Sequence, residues 1–245
     1  MSIKHIDAPR WAAFLTAAGL LFSIHGVGAQ TGSGSTNSMP ERFDNLVRDD
    51  FFSGDTKKFQ HAMKICDDAL AQNPKYAPAI SWRGAGDLAL AGKAFRTNDF
   101  QTGLELWRRG QKEMDDAVVL QPESLQVLIP RGATYLAIAQ YDPNLAESKH
   151  LIQTGVADYE NVFRLQQPYF DTLSRHARGE LLFGLADGWF RLGDMEKSRD
   201  YLQKITNSCA NSAYSRRASA WLTTKDSAVL KEKSKALSCI GCHGE

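Results

Sequence analysis

Two cysteines and a histidine near the end of the sequence carry the clearest chemical signal in the chain. Segment 239–243 reads Cys-Ile-Gly-Cys-His, so that two residues separate Cys239 from Cys242 and His243 follows at once. Two thiols at this spacing could form a redox-active disulfide or supply half of a zinc site. With the adjacent imidazole they also match the spacing at which haem is attached covalently, with one thioether per cysteine and the histidine on the iron.

Haem attachment is the most specific of these interpretations. With four cysteines and six histidines in 245 residues, about 0.002 such motifs are expected by chance. A redox pair would more naturally open a helix of a βαβ unit, and a zinc site needs a second pair of ligands. The motif therefore predicts one covalent haem c, held by Cys239 and Cys242, with His243 as the proximal iron ligand.

The N-terminal residues predict export. Lys4 and Arg10 lie before an uncharged apolar run of 14 residues, 11–24, and residues 27–29 read Val-Gly-Ala. This is the layout of a secretory signal peptide over residues 1–29. Because the run is shorter than the ~20 residues that span a hydrocarbon core, membrane attachment is expected only if the segment stays uncleaved. We expect a periplasmic or otherwise extracytoplasmic protein.

The composition is that of an ordinary globular protein. Hydrophobic residues make up 43% and charged residues 23%, and 29 basic residues against 28 acidic ones leave a net charge of +1. This balance argues against a nucleic-acid partner. Residues 30–42 are rich in Gly, Ser and Thr, which predicts a flexible leader before the fold.

The middle of the chain, residues 43–222, predicts an all-α repeat domain. Helical apolar patterns alternate with short breaks, and no stretch keeps a period of two. Related segments recur: Cys-Asp-Asp-Ala-Leu at 66–70 leads to Pro74, and Met-Asp-Asp-Ala-Val at 114–118 leads to Pro122. A looser version ends at Pro168, so that the prolines lie 48 and 46 residues apart. Asn73-Pro74 and Gln121-Pro122 are expected to end helices, and Asp194 and Asp226 to begin them.

The units resemble the tetratricopeptide (TPR) repeat in their packing residues. The last unit carries on its first helix, turn and second helix Leu182, Leu185, Ala186 and Trp189, then Leu192-Gly193-Asp194, then Ser198, Leu202 and Ile205. The second and third units carry Trp82, Ala85, Gly86 and Ala89, and Leu128, Arg131, Gly132 and Tyr135. The resemblance implies an irregular stack of antiparallel helix pairs whose concave face binds a protein partner, with units longer than the 34 residues of a regular repeat.

The C-terminal region, residues 223–245, resembles c-type cytochromes through Cys239, Cys242, His243 and the following Gly244. Only Gly244 and Glu245 follow the histidine in this sequence, so we do not expect a later segment to supply an axial methionine. This placement is similar to that in four-helix cytochromes of the c-prime type, whose preceding helices enclose the haem. The resemblance implies a haem-bearing C-terminal helix or tail that uses the helical array as its pocket.

A distal iron ligand would come from upstream, from another subunit, or be absent. His176 is the preferred candidate, because Arg175 and Arg178 beside it could bind haem propionates. A surface residue at a helix start is the other interpretation of His176. The remaining candidates in the mature chain are His61, His150, Met63, Met114 and Met195.

The two other cysteines allow two interpretations. Cys66 falls among apolar residues, which favours a small buried side chain. An oxidising compartment also permits a disulfide between Cys66 and Cys209.

Three functions are compatible with these features. The first is an exported monohaem protein that transfers electrons with a protein partner. The second is a periplasmic TPR adaptor or transporter-associated binding subunit, whose Cys-x-x-Cys pair is structural or redox-sensing. The third, an enzyme such as a haem peroxidase, has the least support, since no Ser/His/Asp set, paired carboxylates, HExxH or phosphate loop is present.

Overall fold

The computed structural model describes residues 42–141 and 144–224. Over these ranges the chain is helical and contains no β-strand, which confirms the all-α prediction. The α-helices are α1 (Phe43–Phe51), α2 (Thr56–Gln72), α3 (Ala77–Arg96), α4 (Phe100–Leu120), α5 (Leu125–Ile138), α6 (Leu145–Gln166), α7 (Arg175–Leu192), α8 (Met195–Ser208) and α9 (Ala213–Thr223). A 3₁₀ helix, Gln167–Thr172, lies between α6 and α7.

The helices pack in consecutive pairs. α1 packs on α2, α3 on α4, α5 on α6 and α7 on α8, and the short connections make the partners of each pair antiparallel. The first helix of one pair also contacts the first helix of the next, from α1 to α3, α5 and α7. α9 packs on α7 and α8. The result is the predicted stack of antiparallel helix pairs.

Local sequence signals set the helix ends. Gly193 adopts the left-handed conformation with φ of 88°, which few residues other than glycine adopt at low cost. The next residue, Asp194, caps α8 by accepting a hydrogen bond from the backbone N–H of Lys197, as predicted. Asn73 and Gln121 are non-helical and end α2 and α4 just before their prolines, also as predicted. Asp226 lies outside the residues that the structure describes.

The core confirms most of the predicted packing residues. All of the following are buried: Trp82, Ala85, Leu128, Tyr135, Leu182, Leu185, Ala186, Ser198, Leu202 and Ile205. Ala89 was expected on the packed face of α3, but this prediction is wrong because the side chain faces solvent. Trp189 is only half-buried, since its indole N–H donates a hydrogen bond to a carboxylate at the surface.

Glycines allow two helices of a pair to touch through their backbones. A Cβ atom on Gly110 of α4 would lie 2.6 Å from the carbonyl oxygen of Gly84 on α3. In the next pair, a Cβ atom on Gly155 would lie 3.0 Å from the carbonyl oxygen of Gly132. Backbone atoms cannot turn aside as side chains can, so these positions fix how closely the helices approach.

Candidate functional site

The residues predicted to attach haem, Cys239, Cys242 and His243, lie outside the described residues. The predicted signal peptide, residues 1–29, lies outside them as well. The structure does describe the upstream candidates for an iron ligand and the charged side chains that lie between the helices.

His176 lies at the start of α7, with half of its side chain exposed. The Tyr214 hydroxyl is 3.4 Å from its Nδ1, and the two rings meet edge to face. A Glu180 carboxylate oxygen lies 3.7 Å from its Nε2. His176 therefore sits at a helix start and near the surface, with one ring nitrogen beside a hydroxyl on α9.

The two arginines next to His176 in the sequence, Arg175 and Arg178, differ in exposure and in their contacts. Arg175 is exposed, and its guanidinium lies 3.4 Å from the carbonyl oxygen of Ala210. Arg178 is mostly covered and forms an ion pair at 3.6 Å with the exposed Asp171. Its buried Nε has no hydrogen-bond partner in the part of the chain that the structure describes. At 100° per residue, Arg178 projects about 160° away from His176 around α7.

The other candidate iron ligands are scattered over the stack. His61, on α2, contacts an Asp50 carboxylate oxygen at 2.6 Å. Met114 is fully buried in the core, and Met63 is half-buried. His150 and Met195 are exposed on α6 and α8. The structure does not bring these residues together, and no group of three or more His, Cys, Asp or Glu residues suited to a metal occurs among the described residues.

Cys66 and Cys209 are both buried and form no disulfide with each other. They belong to separate apolar clusters, Cys66 to that of α1–α3 and Cys209 to the large core that extends from α3 to α9. Burial raises the pKa of the Cys66 thiol to about 12. The interpretation of Cys66 as a buried small side chain is confirmed, and the Cys66–Cys209 disulfide that the compartment would permit is not formed.

Charged residues lie where three successive helices meet, and we call these places junctions. The first junction joins α2, α3 and α4. There Arg83 of α3 donates a hydrogen bond to Asp67 of α2 at 3.0 Å and pairs with Glu113 of α4. About one turn further along α3, the buried Asp87 accepts two hydrogen bonds from Arg109, at 2.5 and 2.8 Å.

The second junction, of α4, α5 and α6, repeats this arrangement. Arg131 of α5 donates to Asp115 of α4 at 3.0 Å and makes two hydrogen bonds of 2.7 Å to Asp158 of α6. The Tyr135 hydroxyl donates to the same Asp115 carboxylate at 2.9 Å. One arginine of a first helix thus joins the second helices of two consecutive pairs.

Burial determines the electrostatics of both junctions. Desolvation raises the pKa of the Glu113 carboxyl, and the neighbouring Arg83 opposes part of the rise. Desolvation likewise raises the pKa of Asp158 against the effect of Arg131. Asp158 is therefore a buried charge whose neutralisation depends on Arg131, and Glu113 is a partly buried charge that both Arg83 and Arg109 offset.

The sequence contains a repeated spacing that indicates these junctions and that belongs to none of the motifs described above. Arg83 follows Asp67, and Arg131 follows Asp115, by the same 16 residues. The second aspartate of each Asp-Asp pair, Asp68 or Asp116, instead pairs with a lysine four residues earlier on its own helix. The recurring Asp-Asp segment is thus explained by one contact between units and one contact within a helix.

The third junction, of α6, α7 and α8, differs from the other two. Glu160 of α6 accepts hydrogen bonds of 2.7 Å from the Trp189 indole N–H and from the Tyr201 hydroxyl. The Lys197 ammonium lies over the Trp189 ring, 3.7 Å from its centre. An open cleft of 390 Å³ lies here, lined by Glu160, Trp189, Lys197, Asp200, Tyr201 and Lys204.

Comparison with protein-family models, with curated proteins and with solved structures finds no match. Among the helices that the structure describes, none has the length and apolar character to cross a membrane.

Proposed function

We propose that the chain is an exported monohaem c-type cytochrome-like protein built on a TPR-like helical array, which transfers electrons with a protein partner. The observation that carries the proposal is the motif of Cys239, Cys242 and His243. Bound haem would supply an iron that changes between two oxidation states. The two cysteines would hold it by thioether bonds, and His243 would be the proximal ligand.

Of the residues at the start of α7, only some are suited to contact the proposed haem. His176 has one ring nitrogen beside the Tyr214 hydroxyl, and a hydrogen bond to the other nitrogen is what typically orients a histidine ligand. Glu180, 3.7 Å from Nε2, would have to move away from that nitrogen. Arg175 is exposed on the same end of α7, whereas Arg178 points to the far side, so the geometry favours Arg175 over Arg178 for a propionate.

The length of chain between the array and the motif is compatible with this site. Fourteen residues lie between Thr224 and Cys239, and the fifteen chain steps from one to the other reach about 50 Å when extended. α9 runs from Tyr214, beside His176, to Trp221, beside Phe190, and is therefore parallel to α7. To come back from Thr224 to the level of His176, the chain must run about 15 Å along α9, because Tyr214 lies ten positions before Thr224 and each position adds about 1.5 Å of helix.

The decisive experiment is a pyridine haemochrome spectrum and an intact mass of the protein exported by a host with a c-type maturation system. We expect one covalent haem and a mass that lacks residues 1–29. Denatured holoprotein should then show two reactive thiols, those of Cys66 and Cys209, whereas a chain without haem should show four when reduced. A variant with Cys239→Ala and Cys242→Ala is the matched control, and a mature wild-type chain without bound haem would refute the proposal.

A periplasmic adaptor or transporter-associated subunit is the second candidate. It is favoured by the stack of helix pairs, an architecture that offers extended surfaces for protein partners. Under this alternative the Cys-x-x-Cys pair is structural or redox-sensing. Replacing both cysteines by alanine should then leave partner capture unchanged, whereas the electron-transfer proposal expects loss of redox activity in a folded protein.

A further inference from the structure

The first two junctions show which chemical group this fold places between successive pairs. In each, an arginine of the middle helix lies between carboxylates of the two flanking second helices, Asp67 and Glu113 around Arg83, and Asp115 and Asp158 around Arg131. The guanidinium group is planar and can bind carboxylates on two sides at once. The chain itself thus uses a guanidinium group as the link between units.

The third junction has the carboxylates but lacks the arginine. Glu160 of α6 and Asp200 of α8 line its cleft, and α7 contributes Trp189 instead. Within the part of the chain that the structure describes, Glu160 forms no ion pair, and its two oxygens accept only the neutral Trp189 N–H and Tyr201 O–H donors. Each carboxylate oxygen has two lone pairs, so both can accept a further hydrogen bond. The two donors also hold the carboxylate and both aromatic rings in fixed orientations.

The face of Trp189 already carries a cation. The Lys197 ammonium lies 3.7 Å from the ring centre, which is a close cation–π contact. Half of the Lys197 side chain is exposed, and its ion pair with Asp194 is long, at 4.0 Å. Such a side chain is easily displaced, and a guanidinium group stacks on an indole ring at least as well as an ammonium does.

We propose that the third junction binds the arginine side chain of a partner protein, with its guanidinium group stacked on Trp189 in place of Lys197 and paired with Glu160. The cleft of 390 Å³ has room for one long side chain. The partner's arginine would complete at this junction the contact that Arg83 and Arg131 make within the chain. This site is separate from the proposed haem site and does not depend on haem attachment.

The test follows the Trp189 indole N–H by NMR of the full chain labelled with ¹⁵N-tryptophan. Five tryptophans are present, and a Trp189→Phe variant assigns the signal. The probe is N-acetyl-arginine amide, and the matched control is N-acetyl-citrulline amide, which has a similar shape and no charge. We expect the arginine probe to shift the Trp189 signal saturably and the citrulline probe to leave it in place.

Variants separate the contributions of the side chains. Glu160→Gln should weaken binding of the arginine probe about tenfold through loss of a charge-assisted hydrogen bond. Lys197→Ala should strengthen binding, because the resident cation is removed. Asp67→Asn is the matched control, since its carboxylate is already paired with Arg83, and it should bind as the wild type does. Circular dichroism of each variant checks the fold, and Lys197→Ala provides a test even if Glu160→Gln is unstable.

Three outcomes would overturn the proposal. Equal shifts with citrulline would mean that charge is not recognised. A response to N-acetyl-glutamate amide without one to arginine would mean that Lys197 and Lys204 form an anion site instead. No saturable shift with any probe in a folded Lys197→Ala variant would mean that the junction binds no side chain.

Discussion

At the residue scale, Gly84 of α3 and Gly110 of α4 bring the two helix backbones into close approach. We expect Gly110→Ala to lower the free energy of unfolding by about 1–3 kcal/mol, because the added methyl group meets a carbonyl oxygen that cannot move aside. Helix propensity alone would favour alanine by about 1 kcal/mol. Denaturant unfolding of the variant measures the net effect. The exposed Ala89→Gly on α3 provides the size of the propensity contribution, and a Gly110→Ala protein of higher stability would disprove the close contact.

Glu113 leads to a pH-dependent prediction at the same scale. Burial raises the pKa of its carboxyl above the ordinary 4.5. Its contribution to stability is therefore complete below pH 4.5, the value expected in the unfolded chain, and is lost as the pH rises through the higher pKa of the folded state. The free energy of unfolding of the wild type relative to Glu113→Gln should fall as the pH rises from 4.5 and then level off. A difference that rises with pH would contradict the direction of the shift.

At the element scale, Arg131 joins α4, α5 and α6 through two carboxylates. Its side chain is 12% exposed and that of Asp158 is 5% exposed, so Arg131→Met should cost about 3–5 kcal/mol by leaving a buried carboxylate without a counter-charge. Adding Asp158→Asn should restore part of this loss, because the unpaired charge is then removed. Urea unfolding of the single and double variants measures both effects.

The matched control for Arg131→Met is Lys112→Met, which removes a positive charge elsewhere in the same stack of helices. Lys112 and Asp116 are both exposed, and such surface pairs contribute about 0–1 kcal/mol. If Arg131→Met costs no more than Lys112→Met, the charges at the second junction do not hold the helix pairs together.

The elements differ in how far the sequence could predict them. The turn at Gly193-Asp194 and the breaks before Pro74 and Pro122 depend on neighbouring residues alone, and they were predicted correctly. The contacts of Arg83 and Arg131 require the pitch and packing of two adjacent helices, which a motif does not contain. Trp189 has the spacing of a core residue, and only the position of Glu160 on the preceding helix explains why its indole N–H faces the surface.

For the whole molecule, the question is where a haem tethered at Cys239 and Cys242 would meet the array. A short tether favours nearby groups because their effective concentration is higher. α9 packs against α7 and α8, the last helix pair, so candidates there are nearer than His61 on α2. His176 at the start of α7 is therefore preferred to His61 and also to His150, which lies on α6.

This preference predicts a spectroscopic change in the intact holoprotein. If His176 is the second axial ligand, His176→Ala should convert a low-spin ferric haem into a high-spin one, visible by absorption and electron paramagnetic resonance, while the haem stays covalently attached. Tyr214→Phe, which removes the hydroxyl 3.4 Å from Nδ1, should shift the reduction potential without removing the ligand. His150→Ala is the matched control and should leave the spectrum unchanged. A His176→Ala protein with an unaltered low-spin spectrum would assign the ligand elsewhere and leave haem attachment itself intact, because the thioether bonds and His243 are independent of α7.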